Sequence, residues 1–419
     1  MSQEKQSLKP DVVSSIFSRR IKKRLSSLFI PKGAKVTLGD ASRKTANGLP
    51  IIKKRFPFGL DIGTNSIKVV QFGCDQGGEI KIIHQIIEEL PLTSQTNPKE
   101  RLHLASEILK KMVNEKGIKG NCFTVAPYGS IKVNLIRLPQ MPRGEIDKAL
   151  RWEIRQAFQV DLNEISLDYI VLDESKLKFL GNQIGILAVT APKKDIFEHL
   201  AFLGSVGLNP LAIDIESLSD LAASDYTKKL NPVRNKTPEA SVLPKAGISN
   251  GVNPDEAKLF LDFGAGKTSL HVIYNGELIS TRQLNVTGNS LTKAISDYRQ
   301  LSWEEAEEMK KSFGLAASST EQTINHPIDK AIQVRNALLP LLENMVQDIE
   351  HTFKHFSYQV TQSQITRFDK IILSGGSSLL VGFVSFLRNR LNVDVQILET
   401  EVLNPRLNVA LGLALRGVE

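Results

Sequence analysis

Two short stretches carry the residue types that handle phosphate. Phe58–Phe72 reads FGLDIGTNSIKVVQF, and Leu259–Val272 reads LFLDFGAGKTSLHV. Each begins as an apolar strand that runs into an aspartate. Each then turns through glycine and small hydroxylic residues and resumes the alternation of a second strand. A strand–turn–strand with a carboxylate on one rim and free backbone N–H groups in the turn suits a phosphate and its magnesium ion. The two copies register at Leu60-Asp61-x-Gly63 and Leu261-Asp262-x-Gly264, which predicts a duplicated fold clamping one nucleotide. A third glycine turn, Ser374-Gly375-Gly376-Ser377, falls between a predicted strand and helix and offers a close backbone approach.

The GAGKTS run at 264–269 invites comparison with a Walker P-loop. That pattern needs a glycine five residues before Gly266, where this chain has Leu261. The residues after it, Ser269–Tyr274, alternate like a strand, whereas a P-loop requires a helix. The second stretch is therefore read as a strand–turn–strand.

The elements that must hold these turns can be read in order. The hairpin at 58–72 is followed by a strand at Ile80–Glu89, a helix at Lys99–Glu115 and strands at Cys122–Ala126 and Ile131–Leu138. After Pro139 and Pro142, Ile146, Leu150, Ile154 and Phe158 form one stripe of a helix over Gly144–Gln159. Strands at Ile165–Leu172 and Ile184–Thr190 and a helix opening at Pro192 complete a β/α block that reads as a module inserted in the first half. A strand at Leu211–Ile215 leads into a short helix, Glu216–Ala223. Residues 226–256 lose periodicity, with prolines among Lys, Asn and Ser, and read as a surface insertion. Beyond it, Asn275-Gly276 predicts a hairpin turn. Helices at Ser290–Tyr298, Trp303–Phe313 and about Ile328–Tyr358, with a kink at Pro340, precede a strand at Phe368–Leu373. A helix at Leu379–Leu391, a strand at Val393–Leu398 and a helix at Leu407–Arg416 follow.

Composition narrows the class. At 419 residues and 41% hydrophobic, the chain has room for two domains with ordinary cores. Two cysteines, Cys74 and Cys122, are too few for a disulfide framework and point to a reducing compartment. The first residues lack an apolar signal region, and no run is long enough to span a membrane. The net charge of +8 is concentrated: residues 1–56 carry fourteen Lys/Arg against three Asp/Glu, leaving −3 for the rest. That distribution argues against a nucleic-acid surface on the folded body. Within the arm, Val13, Phe17, Ile21, Leu25 and Leu28 recur at helical spacing among Arg and Lys. Residues 11–29 thus read as a basic amphipathic helix for a membrane surface or partner, with a disordered basic tail as the alternative. Residues 31–56 read as a linker.

The order of these motifs resembles the actin/Hsp70/sugar-kinase superfamily. The middle block, Gln140-Met141-Pro142, Ala149-Leu150-Arg151-Trp152-Glu153, Leu167-Asp168-Tyr169, Val189–Lys193 and Leu208–Asp214, is similar to the inserted subdomain of its FtsA/PilM branch, nearest to the PilM family of type IV pilus assembly. The resemblance covers about 56–225 and 257–419. It implies an actin-like (ribonuclease H-like) two-lobed α/β ATPase fold with an inserted β/α subdomain in the first lobe. The implied division is an arm and linker at 1–56, a first lobe at 57–225 with the insert at 140–210, an insertion at 226–257, and a second lobe at 258–419.

The resemblance also implies roles. Gly63, Thr64, Asn65 and Ser66 would meet the terminal phosphates, with Asp61 and Asp262 on magnesium through water. Lys68 stands where the family often has lysine. Gly264, Gly266, Lys267 and Thr268 would form the second phosphate loop, although a small hydroxylic residue is usual at 267; its charge either serves a phosphate or faces water. Gly375, Gly376 and Ser377 would approach the adenosine, and Glu307 and Lys310 the ribose, unless those two form only a solvated pair. Glu216 would orient the attacking water, unless it only adds charge at a helix start.

The implied protein binds ATP and Mg2+ with slow or negligible turnover. It sits in the cytoplasm, peripheral to the inner membrane, and captures the N-terminal tail of PilN near Leu138–Trp152, alongside other pilus assembly proteins. Lipid contact through residues 11–29 and self-association are compatible with the sequence. The alternatives are an FtsA-like division protein, expected to carry a C-terminal amphipathic anchor beyond the last element, which ends here at Glu419, and a sugar-kinase-like phosphotransferase needing its own catalytic base.

Overall fold

The computed structural model describes residues 52–91, 97–127, 129, 131–230, 256–316, 328–362, 368–398 and 404–418. The basic arm, and with it the helix expected at 11–29, lies outside the described residues. Among the described residues no helix is long and apolar enough to cross a membrane.

Alternation of apolar residues makes the first phosphate stretch a hairpin, after a short strand β1 (Ile52–Arg55): β2 (Phe58–Ile62) and β3 (Ser66–Asp75) pair antiparallel with Leu60 opposite Val69. β4 (Ile80–Glu89) lies on the other edge of β3. Helix α1 (Pro98–Glu115) starts where Asn97 accepts the N–H groups of Lys99 and Glu100, with Pro98 in its first turn. It returns the chain to β5 (Gly120–Val125), parallel to β2.

The insert follows: β6 (Lys132–Pro139), α2 (Ile146–Phe158), β7 (Ile165–Val171) and β8 (Gln183–Pro192). Its three strands form their own antiparallel sheet in the order β6-β8-β7, and α2 lays Ile146, Leu150 and Ile154 against it. This module therefore begins at β6, before the 140 expected from sequence, because Lys132–Pro139 pairs residue for residue with Gln183–Thr190. Its sheet ends at Pro192. Helix α3 (Lys193–Ser205) then packs on β9 (Leu208–Asp214), which is parallel to β5 in the first sheet, so the stretch up to 210 returns to the lobe.

Helix α4 (Glu216–Leu230) runs well past the Ala223 expected for it, and β10 starts at Ala257. The insertion placed at 226–257 thus loses its first residues to α4, where Tyr226 and Thr227 are buried. The second lobe repeats the first. β10 (Ala257–Phe263), β11 (Thr268–Tyr274) and β12 (Glu277–Leu284) form an antiparallel meander, closed between the last two by Asn275 and Gly276, both at positive φ as a two-residue hairpin turn requires. Helices α5 (Gly288–Arg299), α6 (Trp303–Phe313) and α7 (Ile328–His355) lead to β13 (Lys370–Ser374), α8 (Phe383–Leu391), β14 (Asp394–Ile397) and α9 (Asn408–Val418). α7 continues as one helix through Pro340, and α8 starts at Phe383, after Gly382 in the left-handed region. The sheet orders β4-β3-β2-β5-β9 and β12-β11-β10-β13-β14 match strand for strand, with the same parallel and antiparallel pairings.

The helices that close each repeat, α4 and α9, lie side by side between the two sheets. Ala223 and Tyr226 share a core with Ala410, Leu411 and Ala414, with Val70 and Phe72 of the first sheet and with Phe260 and Ile372 of the second. The crossing is close: a Cβ on Gly412 would lie 1.9 Å from the Ser219 carbonyl oxygen. A buried ion pair, Arg416 Nη1 to Asp214 Oδ2 at 2.9 Å, fixes α9 to the end of β9.

Candidate functional site

The two hairpin turns face each other across the cleft between the sheets, and each is closed in the same way. Gly63 N–H donates to the Ser66 carbonyl at 3.0 Å, and Gly264 N–H donates to the Lys267 carbonyl at 2.9 Å. The loops touch. A Cβ on Gly266 would stand 2.3 Å from Thr64 Oγ1, so only glycine allows this approach. Beside that contact, Asn65 and Asn289 exchange amide hydrogen bonds at 2.9 and 3.2 Å. Asn289 belongs to the first turn of α5, whose Gly288 and Asn289 amides donate to the carbonyls of Gly264 and Ala265. The Thr287–Ser290 capping box fixes that helix start.

The third glycine turn joins the same arrangement. Gly375, at φ +80, brings its backbone against Asp262, where a Cβ would meet Oδ1 at 2.3 Å. Ser377 Oγ donates to the Gly264 carbonyl at 3.3 Å, and Gly376 faces Arg406. Glu307 and Lys310 sit one helix away. Lys310 donates to the Gly288 carbonyl, Thr292 Oγ1 and Glu307 Oε2 at 3.0, 2.8 and 2.6 Å. These commit all three of its protons. The pair is largely buried, not the solvated pair that the spacing also allowed, and it anchors α5 to α6. Burial lowers the Lys310 pKa; burial also opposes ionisation of Glu307, but Lys310 and Thr292 hold its carboxyl below the usual range.

At the floor of the cleft, carboxylates and lysines alternate. Asp61 accepts from Lys68 Nζ at 2.8 Å. Glu216, at the start of α4, pairs with Lys267 Nζ and accepts from Ser269 Oγ at 3.2 Å. Burial works against the Glu216 carboxylate, yet Lys267 outweighs it and keeps the pKa low. Asp262 and Asp220 go the other way: burial, reinforced by each other's neighbourhood of Glu216 and Asp61, pushes both carboxyls well above their ordinary range. The Asp220 Oδ2, Thr268 Oγ1 and His271 Nε2 atoms are buried without hydrogen-bond partners. His271 stands 3.6 Å from Asp220 and its pKa falls to about 4 through burial. Glu216 and Lys267 line a cavity of about 420 Å³ together with Ser217, His271, Asn134 and Arg282.

The structure thus brings together Thr64 and Gly266, Gly375 and Asp262, Ser377 and Gly264, and Glu216 and Lys267, with Glu307 and Lys310 joined to the second turn through Gly288. Sequence reasoning missed Asp220, His271, Asn289 and Thr292. The spacing Glu216-x-x-x-Asp220 puts two carboxylates on one face of α4 and was the available signal for Asp220. Nothing local marks His271, whose role depends on which strand crosses α4.

Comparisons with known proteins agree with this architecture. The family model for type IV pilus assembly protein PilM matches residues 59–418. A chain of a solved PilM-PilN type IV pilus biogenesis complex superposes with a TM-score of 0.64 at 23% identity, covering 88% of this chain and 100% of that one. Cell division protein FtsA of Neisseria meningitidis is 24% identical over 324 residues, 71% of each chain. FtsA of Bacillus subtilis is 28% identical over 162 residues, and that match spans 37% of each. The fold is the actin-like two-lobed α/β fold with an inserted subdomain. Since the family match runs from β2, before the first phosphate turn, to the final helix, the chain belongs to the family of type IV pilus assembly protein PilM.

Proposed function

We propose that this protein binds ATP with magnesium between its lobes and uses the bound nucleotide to set the surface that captures the N-terminal tail of PilN. The observation that carries this reading is the meeting of the two phosphate-type turns, Thr64 on Gly266 and Asn65 on Asn289, over a carboxylate floor. In this reading Gly63–Ser66 and Gly264–Thr268 present backbone amides to the phosphates, with Lys68 nearby and the Lys267 ammonium held on Glu216. Gly375, Gly376 and Ser377 take the adenosine, and Glu307, braced by Lys310, faces the ribose. Asp61 and Asp262 hold magnesium through water. Among the described residues no three His, Cys, Asp or Glu side chains are gathered to hold a metal alone, so phosphate and water would complete the shell. The fit to a cation rests on the buried Asp220 Oδ2 and Thr268 Oγ1, which have no hydrogen-bond partner. A bound divalent ion supplies charge neutralisation of the phosphates and of these acids.

Binding at the cleft can shift the lobes only if one arrangement holds nucleotide better than the other. The insert is the part such a shift would move relative to the first sheet. Its helix α2 carries Trp152, 63% exposed, on the face away from the buried Ile146, Leu150 and Ile154, where it can serve as an apolar anchor for a peptide. We place the protein in the cytoplasm at the inner membrane, held through PilN and through lipid contact by residues 11–29, as a scaffold with slow turnover. Asp61→Ala tests the reading by titration: weaker binding of both ATP and a PilN-tail peptide is expected, and unchanged tail affinity with lost ATP binding would sink the coupling.

A further inference from the structure

Lys267 puts a charge in the second turn at the place where the matching first turn has a small hydroxylic residue. In the matching first loop the position belongs to Ser66, whose side chain is buried. Lys267 instead sends its ammonium across to α4 and pairs with Glu216 Oε2, the oxygen that also accepts from Ser269 Oγ. Both partners are largely buried, with side-chain exposures of 26% and 18%, so water screens the pair little. Asp61 and Asp262 add to the field that holds the ammonium in place. The same pair lines the cavity of about 420 Å³, so space that water can occupy reaches Glu216.

We propose that Lys267 is a positioning residue that holds Glu216 out of action as a base, making the cleft a site that keeps its nucleotide. This rests on the ATP-binding reading above. In hydrolysis a water oxygen bonds to the terminal phosphorus, the bond from phosphorus to the β–γ bridging oxygen breaks, and ADP departs with that electron pair. The proton shed by the water must go to a nearby base. A carboxylate oxygen already shared between an ammonium and a hydroxyl is a poor acceptor for it, and a poor guide for the water's direction. The ion pair therefore suppresses turnover without touching the phosphates.

The test is Lys267→Thr, which gives a small hydroxylic side chain like that of the matching Ser66, alongside Lys267→Arg, which keeps the charge. Single-turnover hydrolysis of ATP and equilibrium binding of ATP and ADP are measured on the full chain with magnesium. Lys267→Thr is expected to raise hydrolysis by at least about tenfold, since a freed general base contributes on that scale or more. It should leave the ratio of ATP to ADP affinity unchanged. Lys267→Arg should stay slow, and adding Glu216→Gln to Lys267→Thr should return the rate to the starting level. A rate that does not rise in Lys267→Thr, or a loss of affinity confined to ATP, overturns the proposal; the second result makes Lys267 a terminal-phosphate ligand. Wild-type chain that binds no ATP overturns the reading beneath it as well, which separates the two failures.

Discussion

Single side chains in this protein carry charge into the interior, and each such burial has a measurable consequence. Arg416 and Asp214 are 4% and 1% exposed, and Phe123 stacks under the guanidinium at 5.4 Å. Removing one partner strands the other charge, so Arg416→Met should cost about 3–5 kcal/mol, read as a lower urea midpoint. His199 sits beside Thr124, and burial lowers its pKa to about 4. An unfolded histidine titrates near 6.5, so between those values the unfolded chain binds the extra proton. Stability from this site is complete above about pH 6.5 and declines towards pH 4 by about 3 kcal/mol. His199→Gln should flatten that part of the curve in pH-dependent unfolding; an unchanged slope would contradict the assignment. The cleft carboxyls of Asp262 and Asp220 have the opposite sign, since their raised pKa favours the folded form at low pH and the benefit fades as pH rises.

At the scale of elements, the closest contact is between α4 and α9, the two helices that end the repeats. Gly412 is the contact point, and a methyl there would meet the Ser219 carbonyl. Gly412→Ala should destabilise by about 1–3 kcal/mol, as overpacking does, and a melt shifted less than an exposed-surface alanine control would refute the close crossing. This crossing was not legible in the sequence. The stripe of small residues at 407–416 announced a helix, but not that it packs against the first sheet as well as the second. The extent of α4 was hidden for a related reason: beyond Ala223 the residues Ser224–Thr227 look polar, yet packing between two sheets buries Ser224, Tyr226 and Thr227. By contrast the hairpins were legible because alternation and the Asn275-Gly276 turn are local properties. The paired Asp-x-Gly turns were legible because they recur. Asn65 with Asn289, and Asp220 with His271, are pairings across lobes or between a helix and a strand, which no spacing along one chain encodes.

For the whole molecule, the matched sheets and the shared helix pair describe two lobes whose Asp-x-Gly turns meet. Among the described residues the turns themselves meet through a glycine–threonine approach and a pair of exchanged amide bonds. A bound ligand that bridges the turns can compete with those contacts, and the lobes with the insert would follow. The most direct measurement is the affinity of a PilN-tail peptide for the full chain with saturating ATP and magnesium, compared with nucleotide-free protein. The account predicts a difference of about fivefold or more, with tail peptide in turn tightening ATP by the same factor. Equal tail affinities with and without nucleotide would contradict it.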